Sequence, residues 1–365
     1  MAEMILKKEE KITFALRSLY RTYGYLSYKM SKFEEYDLYV QNKDFLVGDG
    51  VITFNDTNGK LLALKPDVTL SIIKNDIDGA GKRKVCYNEN VYRISAKTKQ
   101  FKEIMQVGLE CIGDIDTYDV FETVYLAASS LAAVSSAFVL DISHLGILSA
   151  LLTDIQKGES FNRAVMKKIA EKNLHDLTAL CEKYEVSAEQ TQQLLSIVNA
   201  YGKMSVALEK LAPICKNGAA AIAYQQLKTL CDLLSATEYA ENIRIDFSVV
   251  NDMNYYDDIV FKGFIDGIGE GVLSGGRYDK LLHKMGRKSG GIGFAVYLDM
   301  LEAFGEEKQD LDVETLVLYD EKTPIEQLVS TIQGLTKEGK TVRAQCSEGT
   351  LRFKEKIDIR GRNND

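Results

Sequence analysis

Metal-binding and disulfide signatures are missing from this sequence. Its six cysteines stand at 86, 111, 181, 215, 231 and 346, none in a C-x-x-C pair, and only three histidines (His144, His175, His283) could assist them. A structural zinc site needs clustered ligands, so none is expected, and scattered thiols of this kind read as reduced, buried side chains. No stretch reaches the roughly 18 apolar residues of a membrane-spanning helix. Residues Met1–Glu10 carry charges of both signs and no apolar core, so no secretory signal is read there. Excess positive charge is also lacking: 45 Lys+Arg face 53 Asp+Glu, a net charge of −8, and a nucleic-acid partner would need a local basic patch. What is present is ample for a core, with 45% hydrophobic and 27% charged residues in a chain of 365. The expectation is a soluble cytoplasmic protein of two or three domains, with no cofactor, metal, nucleic acid or membrane partner.

With only Pro66, Pro213 and Pro324, breaks must be read from glycine and polar clusters. Lys7–Tyr23 sets Ile12, Leu16, Leu19 and Tyr20 at helical spacing and stops at Gly24. Val51–Phe54 and Leu61–Leu64 read as a hairpin about Asn55–Gly59, and further strands are expected at Val85–Ile94 and Ile104–Ile112. Thr117–Phe138 reads as an amphipathic helix. Helix formers dominate residues 150–235, which predicts a helical insert between two halves of a sheet. Strands return at Ile243–Val249 and Ile259–Phe264, and Ile292–Phe304 is predicted helical. After Gln309 a small unit follows (strand Thr315–Tyr319, helix Ile325–Lys337, strand Thr341–Gln345), with a frayed tail over Arg352–Asp365. The predicted domains are therefore a core over 1–309 and a small α/β unit over 310–365. This mixture is α+β rather than the strict βαβ alternation of a doubly wound sheet.

Gly334–Thr341 fits the phosphate-loop pattern G-x-x-x-x-G-K-[ST] letter for letter. That loop works when a strand precedes it and a helix follows. Here the order is reversed, so Gly339-Lys340 reads as a helix exit turn. A more informative constellation is dispersed. Asp67 and Thr69 follow a rigid Lys65-Pro66 bend, and Gln106 and Glu110, four apart on one strand, share a face. Facing one face of a sheet, Asp67, Gln106 and Glu110 would make an acceptor-rich pocket suited to an ammonium group. Tyr255, Tyr256, Arg277 and Tyr278 add aromatic walls and phenols suited to a ring bearing N–H groups. The plain alternative for such a polar face is solvent.

Five segments in order resemble the catalytic core of class II histidyl-tRNA synthetases. Tyr23-Gly24-Tyr25 with Phe33-Glu34 resembles the end of motif 1, and Leu64–Thr69 resembles the segment that holds the amino acid. Tyr92-Arg93 through Glu103, then Gln106–Glu110, resembles motif 2 and its neighbouring strand. Tyr255–Phe261 with Ser274–Asp279 resembles the two histidine-recognition segments, and Gly291–Ala295 resembles motif 3. The resemblance spans about residues 8 to 305. It implies a class II synthetase-like antiparallel sheet with flanking helices, and a histidine site of Asp67, Thr69, Gln106 and Glu110 for the amino group. Tyr255, Tyr256, Arg277 and Tyr278 would then serve the ring and carboxylate, with Arg93 available to an anion.

The departures from the family pattern concern ATP. Met300 stands where motif 3 carries its arginine, Asn251 stands where a second catalytic arginine is found, and Tyr297 replaces a glycine. The motif 2 loop reads Arg93-Ile94-Ser95 without its second charged residue, and Ser31 replaces the motif 1 proline. Phosphoryl chemistry needs cations where negative charge develops, so losing two is worth several kcal/mol of barrier. The combination resembles the synthetase paralogues that act as regulatory subunits of ATP phosphoribosyltransferase. That resemblance implies a non-catalytic chain and a short-form catalytic partner in a hetero-octamer. It further implies self-association as a dimer through the motif 1 region and histidine as the feedback effector. The alternatives are a divergent histidine–tRNA ligase and a free-standing histidine sensor with another protein partner.

Overall fold

Alternation of side chains along the strand Phe101–Gly113 sets the architecture. Val107, Leu109 and Cys111 point to one face, into a core built with the helices Lys8–Thr22 and Thr117–Val134. Gln106, Glu110 and Ile112 point to the other, where a second core gathers Val85, Tyr87, Val91, Leu70, Ile72, Tyr255 and Tyr278. The period of two thus separates an all-apolar layer from a mixed one. The computed structural model describes residues 7–43, 46, 50–75, 81–94, 98–249, 255–301 and 311–361. The chain divides into two units, Lys8–Phe304 and Gly305–Asp365 with Met1–Lys7.

The larger unit is built on a nine-stranded sheet. Its order is Leu26–Ser27, Arg83–Ile94, Phe101–Gly113, Gly290–Tyr297, Leu273–Arg277, Ile259–Ile265, Phe138–His144, Ile243–Ile245 and Gly202–Lys203. It is antiparallel except where Leu26–Ser27 joins Arg83–Ile94 and where Phe138–His144 joins Ile243–Ile245. A parallel pair requires a crossover. The helical insert supplies it: six helices from Leu145–Ile155 to Gly218–Leu234 lie between those two strands in sequence. A separate three-stranded sheet carries the expected hairpin, Thr53–Asn55 with Leu61–Leu64, and Phe33–Glu35 on its other edge. The smaller unit is a parallel three-stranded sheet, Val342–Gln345, Val313–Leu318 and Phe353–Asp358, with the helix Ile325–Lys337. Gly339 sits at φ +85° just after that helix, as an exit turn requires.

Several elements differ from expectation. Of the residues predicted as a helix over Ile292–Phe304, those up to Leu301 belong to the strand Gly290–Tyr297 and a short 3₁₀ turn, Leu298–Leu301, and the rest lie outside the described residues. Glycines at 290, 291 and 293 are poor helix formers, and pairing on both edges outweighs the local preference of the residues that follow. The frayed tail is instead the strand Phe353–Asp358, held by pairing to Val313–Leu318 and by Thr315 donating to Glu355 at 2.6 Å. The helix from Thr117 stops at Val134, because Ser135 is extended and Phe138 opens a strand. The strand from Ile243 ends at Ile245, where the Asp246 carboxylate accepts from Ser248 N–H and starts a 3₁₀ turn. The segment Tyr25–Phe33 contributes only Leu26–Ser27 to the main sheet.

Candidate functional site

Glu110 lies in the middle of the sheet, with Gly293 directly opposite on the neighbouring strand. A Cβ at 293 would fall 1.9 Å from Glu110 Oε2 and 2.4 Å from the Leu109 carbonyl oxygen, so only glycine leaves room for the carboxylate. At Gly291 a Cβ would stand 2.4 Å from the Tyr278 ring. These glycines clear space on the sheet for an acid and the phenol that serves it.

Thr69 Oγ1 donates to Glu110 Oε1 at 2.7 Å, and the Tyr278 hydroxyl donates to Oε2. Glu110 is only 2% exposed. Burial raises its carboxyl from an ordinary 4.5 to about 8, against the lowering effect of its two hydroxyl donors, and nearby Asp67 adds to the rise. Asp67 caps the unanticipated helix Val68–Lys74, its Oδ1 accepting from Leu70 N–H at 2.9 Å. Burial raises the Asp67 carboxyl too, and the Leu70 N–H opposes this. One Asp67 oxygen therefore serves the helix, while the side chain still lines the site.

The aromatic wall is compact. Tyr255 and Tyr256 meet edge to face at 4.7 Å, and Tyr255 and Tyr278 at 6.1 Å. These residues and Asp67, Thr69, Gln106 and Glu110 line one cavity of about 480 Å³, within the usual range for small-molecule sites. Arg93 lines it as well, its Nε donating to the Pro66 carbonyl at 2.9 Å. Arg277 does not line it. Alternation along Leu273–Arg277 turns 274 and 276 to the cavity face and Arg277 away. There the guanidinium pairs with Asp279 at 2.8 Å and Asp258 at 3.5 Å. The structure does not bring Arg277 into the cavity with the other residues assigned to the ligand.

Met300 is partly buried in the turn Leu298–Leu301 and packs against the helix-side core. That position holds thioether and methylene, with no charge to offer a phosphate. Asn251 lies outside the described residues, as does Ser95 of the motif 2 loop. Tyr87, Ser274 and Lys262 also line the cavity and were not anticipated. Their signal was the period of two along strands whose neighbours are remote in sequence.

The sequence model of the histidyl-tRNA synthetase family matches residues 2–301. The chain belongs to that family. A relative from Ruminiclostridium cellulolyticum, named ATP phosphoribosyltransferase regulatory subunit, is 26% identical over 342 residues, covering 91% of this chain and 81% of the relative. A solved structure from Bacillus halodurans, described as an ATP phosphoribosyltransferase regulatory subunit/histidyl-tRNA synthetase, superposes with a TM-score of 0.80 at 23% identity, over 97% of this chain and 94% of that one. A chain of the ATP phosphoribosyl transferase (HisG:HisZ) complex from Thermotoga maritima gives a TM-score of 0.64 at 18% identity, over 80% of this chain and 97% of that one. Both structures share the class II synthetase-like α+β fold. Among the described residues, no helix is long and apolar enough to cross a membrane.

Proposed function

We propose that this chain is the regulatory subunit of an ATP phosphoribosyltransferase, serving the first step of histidine biosynthesis and its feedback control. The partner is a short-form catalytic subunit, and histidine is the effector, held in the Glu110 cavity. One contrast supports this reading above all. The buried Glu110 keeps both hydroxyl donors and its tyrosine wall, while Met300 fills an apolar place where adenylate chemistry needs a cation. A histidine ammonium would pair with Glu110, with Gln106 and Asp67 beside it and Tyr255, Tyr256 and Tyr278 around the ring. The chain itself would then carry no catalysis, self-associate through the motif 1 region and join the partner in a hetero-octamer. Free thiols, five of them buried, suit a cytoplasmic location.

The test is reconstitution with a short-form catalytic subunit. Co-elution, a gain in phosphoribosyl transfer and its inhibition by histidine are expected. Histidine-dependent ATP–pyrophosphate exchange by the pure chain would overturn the reading and favour a ligase. Light scattering of the chain alone should report a dimer, and a monomer at micromolar concentration would count against the motif 1 interface.

A further inference from the structure

Behind the tyrosine wall stands a buried histidine that does not line the cavity. His144 ends the strand Phe138–His144 and caps the first helix of the insert, Leu145–Ile155, its Nδ1 accepting from Gly146 N–H at 3.1 Å. It is 2% exposed. Because Nδ1 accepts, the ring proton sits on Nε2. That nitrogen faces Asp258 Oδ1 at 2.6 Å and Gln226 Oε1 at 3.1 Å. Gln226 belongs to the last helix of the insert, Gly218–Leu234. The two helices meet here: a Cβ at Gly146 would fall 3.0 Å from His144 Nδ1 and 3.2 Å from Ala223 Cβ. One side chain thus holds both end helices of the insert.

The acid that His144 meets belongs to the ligand wall. Asp258 follows Tyr256 by two residues, and its carbonyl accepts from Leu145 N–H at 2.8 Å, so main chain and carboxylate both grip the start of the insert. Burial alone would raise the Asp258 carboxyl, but His144 and Arg277 outweigh it and hold the group below its ordinary 3.8. From Asp258 the contacts run on to the phenol that serves Glu110. Arg277 pairs with Asp258 at 3.5 Å and with Asp279 at 2.8 Å, and its carbonyl accepts from Asp257 N–H at 3.1 Å. Asp279 Oδ1 accepts from Gly291 N–H at 3.0 Å, and Tyr278 N–H donates to the Gly291 carbonyl at 2.8 Å. Displacing the end helices of the insert therefore displaces Asp258, and with it the wall that Tyr255, Tyr256 and Tyr278 form.

We propose, on the reading that histidine occupies the cavity, that His144 is a positioning residue through which a filled cavity tightens the first and last helices of the insert. The coupling is reciprocal, so a partner that shifts those helices changes histidine affinity. Two substitutions separate the two ring nitrogens. His144→Asn keeps an acceptor for Gly146 N–H and loses the donor to Asp258; His144→Gln keeps a donor that reaches Asp258 and loses the cap. The full chain and both variants would be titrated calorimetrically with histidine, and their amide hydrogen exchange followed with and without saturating histidine. In wild type, histidine should slow exchange about threefold or more in Leu145–Ile155 and Gly218–Leu234. His144→Asn should bind histidine about three- to tenfold more weakly, and at saturation the slowing should vanish from those helices but persist in Tyr255–Phe261. His144→Gln should restore both readouts to within about twofold of wild type; a histidine that served only as a cap would give the reverse order. Gln226→Leu, at an exposed position, covers a failure of the His144 variants to fold: the slowing should be lost from Gly218–Leu234, and its full retention would overturn the link to that helix. Slowing confined to the cavity strands in wild type, or undiminished slowing of the insert in His144→Asn, would overturn the coupling and leave histidine as the ligand. No histidine binding by wild type would overturn the coupling and the histidine reading together.

Discussion

Replacing Glu110 by glutamine removes a charge that the fold holds at a cost. The carboxyl rises from an ordinary 4.5 to about 8 on folding, chiefly through burial. Between these values the native state binds more protons at this site than the unfolded chain does. Stability from this group is thus fully present below pH 4.5 and is lost as pH climbs through 8. One proton corresponds to about 1.36 kcal/mol per pH unit, so the contribution changes by about 3 kcal/mol between pH 5 and pH 7.5. Glu110→Gln keeps the size and an acceptor for Thr69 or Tyr278, and has no charge to lose. Urea unfolding of both proteins across pH 5–7.5 measures the effect: wild type should lose about 3 kcal/mol relative to the variant over that window. Asp141, which burial raises to about 6, titrates in both proteins and cancels in the difference. Parallel stability curves would refute the argument, because they would mean that Glu110 ionises in the native protein as readily as in the unfolded chain.

The same proton links to the ligand. An ammonium at Glu110 favours the carboxylate, so histidine binding near pH 7 should release most of a proton, read by calorimetry in buffers of different ionisation enthalpy. At pH 8.5, where Glu110 is ionised, Glu110→Gln should weaken histidine about 10- to 150-fold, the equivalent of about 1.5–3 kcal/mol for a charge-assisted bond, and unchanged affinity would place histidine elsewhere. Tyr278→Phe removes one neutral donor and should cost binding only about 0.5–1.5 kcal/mol in the same titration. Gly293→Ala drives a methyl group against Glu110 Oε2 and a backbone carbonyl, and should lower the urea midpoint by the equivalent of about 1–3 kcal/mol. A midpoint matching wild type would show that the sheet can open at that point.

How much of the site was legible depended on whether its geometry was local. Gln106 and Glu110 on a shared face follow from the period of two alone, and the structure keeps both buried there. Thr69 and Tyr278 were singled out as a hydroxyl and an aromatic wall, but their bonds to Glu110 were not legible, since nothing in their own neighbourhood announces a partner 41 or 168 positions away. Arg277 does not line the cavity, because alternation along Leu273–Arg277 turns it to the other face of the sheet. The helix predicted over Ile292–Phe304 failed for the reason that makes the site work. Its glycines are needed opposite an acid on a distant strand, and a local reading treats them only as punctuation.

That reasoning also explains why the Lys262 end of the cavity stayed hidden. Its face is decided by the order of four strands, Phe101–Gly113, Gly290–Tyr297, Leu273–Arg277 and Ile259–Ile265, the first of which is separated from the others by the whole helical insert. The insert is a crossover between parallel strands at the far side of the sheet and in the sheet comes between none of these four. The Glu110 end of the cavity rests on the strand Phe101–Gly113, read directly from its own pattern. The Lys262 end rests on strands contributed after the insert, where a lysine and a serine become neighbours only through register.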